Sequence, residues 1–64
     1  MENNVIKLMK LIEQEFTYAA EQSMKFVGGN NSAGTRVRKT MQNIKNLSQE
    51  VRKEVQNQKN SVTA

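Results

Sequence analysis

Four cations, Arg38, Lys45, Arg52 and Lys59, recur at every seventh residue in the second half of a 64-residue chain. On a helix rising about 1.5 Å per residue they line one face, roughly 10 Å apart. Beside them run a row of Gln42, Gln49 and Gln56 and a second row of Lys39, Asn46, Lys53 and Asn60, so the strip carries no acid; Glu50 and Glu54 fall on the opposite flank. A solvated helix face ordinarily mixes signs, because Glu and Lys support each other four residues apart. Here the positive field is left uncancelled. The chemistry this suits is the binding of a repeating anion. Cations displace condensed counterions from phosphates, and amides hydrogen-bond phosphate or sugar oxygens without distinguishing bases.

Other chemistry is poorly supplied. With no Cys and no His, the chain lacks disulfides, the usual zinc ligands and any nucleophile–base arrangement built on those residues, so no metal, cofactor, small-molecule substrate or enzymatic activity is expected. Glu13, Glu15 and Glu21 do not converge on one concave site by their spacing, and solvated acids are the commoner case. Charge is divided unevenly. Residues 1–32 hold three cations against four acids, whereas residues 33–64 hold seven cations against two, and together these make the net +4. The asymmetry points to a polyanionic partner for the second half, either nucleic acid or an anionic membrane surface. Membrane binding fits less well, because the strip lacks the large exposed apolar face that interfacial helices insert. Base-specific or single-stranded readout fits poorly too, since Phe16, Tyr18 and Phe26 all lie in the first half, away from the basic strip. No apolar run is long enough for a signal peptide or a membrane span, so a cytoplasmic chain is the default.

Two helices must position these residues. Asn3 or Asn4 can cap the first, after which Val5, Met9, Ile12, Phe16, Ala19 and Phe26 follow steps of four and three, with Ser23 in the remaining slot. Glu21 and Lys25 stand in the favourable i, i+4 order on this helix. Gly28-Gly29-Asn30-Asn31 should end it, and Asn30 or Asn31 should cap the second. Exposed amides near Ser32, Ala33 and Gly34 could cradle a phosphate. The spacing matches neither the Walker nor the dinucleotide pattern, which favours a plain turn. The expected domain is a single all-α unit: a helix over about 4–27, a turn over 28–31, a helix over about 32–59 and a frayed tail over 60–64.

In an antiparallel hairpin, facing residues have a constant index sum, and the two apolar stripes align at 60. Ser23 then faces Val37, Ala19 Met41, Phe16 Ile44, Ile12 Ser48, Met9 Val51 and Val5 Val55. Every a position meets a d, as an antiparallel coiled coil requires. Leu11 and Tyr18 lie off this stripe on one side, and Ile6 and Met24 on the other. A lone hairpin buries little against chain entropy, so a homodimer is expected, with Leu11 and Tyr18 as a second seam pairing two hairpins into a four-helix assembly. A competing reading is a protein-interaction module whose apolar seam docks a partner helix and whose basic edge only orients it.

From Lys25 onward the chain resembles the bacterial histone H1-like family of the chlamydial type. The resemblance rests on G-N-x-x-A-G-T-R-V-R-K-x-M-Q-x-I-K-x-L-x-Q-E-x-R-K-E-V, here Gly29 to Val55, preceded by an acid- and apolar-rich helix. It covers about two thirds of the chain closely and the first helix loosely. It implies a nucleoid-associated protein that binds double-stranded DNA with little sequence preference and compacts it, with Arg36, Arg38, Lys39, Lys45, Arg52 and Lys53 as the basic positions. Together with the strip, the expected contact set is these six with Gln42, Gln49 and Lys59. Chlamydial members continue into a long Lys- and Ala-rich tail, whereas this sequence ends at Ala64. Bridging by a dimer is therefore expected in preference to strong condensation by one molecule.

Overall fold

The computed structural model describes residues 2–63. They form two helices, α1 (Asn4–Val27) and α2 (Asn31–Thr63), with no strand among the described residues. The helices pack antiparallel into one elongated hairpin of 54 × 19 × 12 Å.

Each boundary has a local cause. Asn3 is extended, and its Oδ1 accepts from the Val5 amide at 2.7 Å, satisfying one of the donors a helix start leaves unpaired. At the other end the Gly29 amide donates to the Phe26 carbonyl and the Asn30 amide to the Lys25 carbonyl, both at 3.0 Å. This Schellman pair needs a left-handed residue, and Gly29 supplies it at φ 110° with no Cβ to clash. Asn30 starts α2, its Oδ1 accepting from the Ala33 amide at 3.2 Å. The second helix runs to Thr63, past the Lys59 at which the sequence reading ends it. After Gly34 no Gly or Pro interrupts it, and Gln58 exchanges hydrogen bonds of 2.9 and 3.0 Å with Asn3, tying the late turns of α2 to the start of α1.

The register lies close to the expected one. Side chains bridge the helices at Asn3–Gln58, Asn4–Glu54, Glu15–Asn43 and Gln22–Arg36, pairs whose numbers add to between 58 and 61. The faces that meet overlap the expected ones in part. Ile12, Ala19 and Ile44 are buried as the heptads require, together with Ala33, Gln22 and Thr40. Leu8, Glu15, Leu47 and Glu54 are half-buried beside them. Of the rest of the expected stripe, Val5, Ser23, Val37, Ser48 and Val51 are half-buried, whereas Phe16 is 53% exposed against 8% for Ile12, and Met9, Phe26, Met41 and Val55 are also exposed. Each helix carries an apolar band wider than one seam. The four hydrogen-bonded pairs above lie along the Leu8–Leu47 edge, and they accompany a rotation of both helices toward it.

Close packing near the turn leads to a test. A Cβ added at Gly34 would lie 2.6 and 2.7 Å from Cδ1 and Cε1 of the Phe26 ring. A helical Gly→Ala change ordinarily stabilises by about 1 kcal/mol. Gly34→Ala should bring no such gain, because the ring must swing away and give up its packing. In a Phe26→Ala background the gain should return, so urea melts of the single and double variants should show a coupling of about 1 kcal/mol. Simple additivity would mean that Phe26 does not rest on Gly34.

Candidate nucleic-acid interface

α2 holds the cations in place. Arg38, Lys45, Arg52 and Lys59 are exposed along its outer side, with Gln42, Gln49, Lys39 and Lys53 exposed next to them. From Arg38 to Lys59 the row spans roughly 30 Å, near the 34–36 Å turn of B-form DNA. Among the described residues the ion pairs are Lys10–Glu2 at 2.7 Å and Lys53–Glu50 at 3.7 Å, so Arg38, Lys45 and Arg52 have no acid partner. The Glu21–Lys25 pair favoured by spacing is not formed.

Three cations differ from the rest, the first being Lys39, which borders the strip and also lines the cleft that holds Arg36. Lys53 stands at the border of the strip, paired with Glu50. Arg36 leaves the strip altogether: its Nη1 donates to Gln22 Oε1 at 3.2 Å, and it lines a shallow cleft with Glu15, Tyr18 and Asn43 on the far side of the seam. The turn offers no open phosphate cradle at the two positions that packing occupies. The Ala33 amide donates to the Asn30 side chain and carbonyl, Ala33 has no exposed surface, and the Phe26 ring covers Gly34. Leu11 and Tyr18 are exposed on the same side as Arg36, each beside a cleft that includes Glu15 and Asn43.

A family model for the histone H1-like protein Hc1 matches residues 5–61, nearly the whole chain. The chain belongs to the Hc1 histone H1-like family. No curated protein and no solved structure matches it. The Hc1 match takes in α1 as well as the pattern from Gly29 to Val55, so both helices of the hairpin are part of the family unit.

Within this Hc1 hairpin, several residues that periodicity alone did not single out shape the site. Gln22 is buried and holds Arg36 away from the strip. Thr40 is buried, its hydroxyl donating to the Arg36 carbonyl at 2.8 Å. Glu15 accepts from Asn43 Nδ2 at 3.5 Å, which keeps an acid on the far edge. Their signal in the sequence was the seven-residue row Glu15–Gln22 on α1, which reads as solvated until its partners on α2 are known.

Proposed function

We propose that this Hc1-family chain is a nucleoid-associated, histone-like protein that binds double-stranded DNA along its phosphate backbone with little sequence preference, and bridges or compacts it as a homodimer in the cytoplasm. The observation that carries this reading is the exposed row Arg38, Lys45 and Arg52, acid-free and unpaired on the outer side of α2. Membership in a histone H1-like family supports the same partner. Arg and Lys would neutralise phosphates, and Gln42 and Gln49 would donate to backbone oxygens, a contact set that carries no base information. The reading needs no cofactor and no catalytic group. No helix among the described residues is long and apolar enough to cross a membrane.

The alternative, a protein-interaction module with a solubilising basic edge, draws support from the exposed Met9 and Phe16. A gel shift on random-sequence duplex DNA separates the two. Neutralising about four phosphates gives a log–log salt slope near −3.6, so affinity should fall roughly a hundredfold between about 50 and 200 mM salt. Absence of binding at about 50 mM salt would overturn the DNA reading and leave the interaction module.

A further inference from the structure

Phe26 is the last aromatic ring of α1, and Arg38 is the first cation of the seven-residue row on α2. By sequence the ring belongs to the half of the chain away from the basic strip. The hairpin turn brings the two together: Phe26, Val37 and Arg38 line one open groove of about 350 Å³ with Asn31, Gly34 and Thr35. Because Gly34 has no Cβ, the Cδ1–Cε1 side of the ring rests directly on α2. The rest is open, and Phe26 is 49% exposed. A ring backed by a helix on one side and bare on the other holds its orientation without hiding its π surface, as a stacking platform requires. No acid lines this groove, and Arg38 has no acid partner among the described residues. Tyr18 on the far side of the seam differs in this respect, since its cleft includes the Glu15 carboxylate, which repels a phosphate.

We propose that the Phe26 groove is a stacking site for one unpaired nucleobase of a DNA duplex, with Arg38 holding the phosphate beside it. The inference rests on the DNA reading of the cationic row and extends it. A paired base shows a groove-bound ring only its edge, so the partner is a base that already lies outside the stack, at a bulge, a gap or a frayed end. The volume, at the small end of the roughly 300–1,000 Å³ range of ligand sites, suits one base and not a run of them. Every base has a π face, so the site adds a preference for DNA structure and none for sequence. Arg38 belongs to both the groove and the row. The turn end of the hairpin therefore sits at the extrahelical base while the rest of α2 lies along the adjoining duplex.

Two bulged duplexes test this, one with a single extra thymine and one with an abasic sugar in its place, so that phosphates and backbone flexibility are matched. The intact duplex is the reference. Wild type should bind the thymine bulge about tenfold more tightly than the abasic bulge, the gain expected from one stacked base. Phe26→Leu keeps an apolar side chain against Gly34 but has no ring, so it should bind the two bulges alike and the intact duplex as wild type does. Phe26→Tyr should restore the preference. Should Phe26→Leu unfold, Phe26→Trp decides: it places a single tryptophan in a chain that has none, and its emission should be quenched by the thymine bulge and not by the abasic one. Equal binding of both bulges by wild type, a preference that survives Phe26→Leu, or equal quenching would overturn the inference while leaving the DNA reading in place. Absence of binding to all three duplexes at about 50 mM salt would overturn the DNA reading and this inference with it.

Discussion

Replacing Arg38, Lys45 and Arg52 together by alanine should abolish most DNA affinity while leaving the hairpin folded. Each phosphate-bound cation releases about 0.9 counterion, a term of roughly 1.6 kcal/mol at about 50 mM salt, so three removals amount to about three orders of magnitude. The salt slope should flatten by about 2.7. The loss should be the same on A·T-rich, G·C-rich and random duplexes, because nothing in the row reads bases. Circular dichroism should show retained helix, since these side chains are exposed and lack ion-pair partners. Arg36→Ala is the internal comparison: the guanidinium is engaged by Gln22 on the far side of the seam, so the affinity loss should be much smaller than for Arg38→Ala. Parity between Arg36 and Arg38, or a variant that changes sequence preference, would mean that DNA meets another face.

The hairpin itself was readable because its punctuation is chemical. Asn3 and Asn30 cap through their own side chains, and Gly29 takes the one conformation that other residues avoid. The register was also readable, since both stripes repeat every seven residues and the turn between them is short. Which half of each stripe lies inside was not. Val5, Ile12 and Ala19 belong to either candidate seam, so the choice between Phe16 and Glu15 as the next position cannot be made from one helix. Hydrophobicity argues for Phe16. The hairpin places Glu15 toward the seam, because Asn43, Arg36 and Glu54 on α2 find partners only on that edge. Buried polar groups must be paired, and pairs are a property of two helices together.

The basic strip survived this rotation for a simple reason. It lies on the outside of α2, where turning the helix moves the row relative to the seam without burying it. Arg36 entered the expected contact set through the family pattern and not through the seven-residue row: two positions before Arg38 it lies about 200° round the helix, where the buried Gln22 engages it. Rotation also leaves Met41 and Val55 exposed beside Arg38 and Arg52, their neighbours three residues away on the same helix.

Stability should separate the two classes of apolar residue that periodicity treats alike. Ile44 is buried, so Ile44→Ala should cost about 2–5 kcal/mol. A 64-residue domain has on the order of 3–10 kcal/mol in total, so that loss removes from about a fifth to all of it and brings the protein close to unfolding at 37 °C. Phe16, more than half exposed in the single hairpin, should lose under about 2 kcal/mol on truncation to alanine when the chain is dilute. The ordering should then depend on concentration. If the proposed homodimer covers Phe16, folding is linked to association, so the wild-type melting temperature should rise between about 5 and 500 µM, and most of that rise should vanish in Phe16→Ala. Ile44→Ala should be destabilised at every concentration. If Phe16→Ala were as damaging as Ile44→Ala in the most dilute sample, Phe16 would belong to the core within one chain.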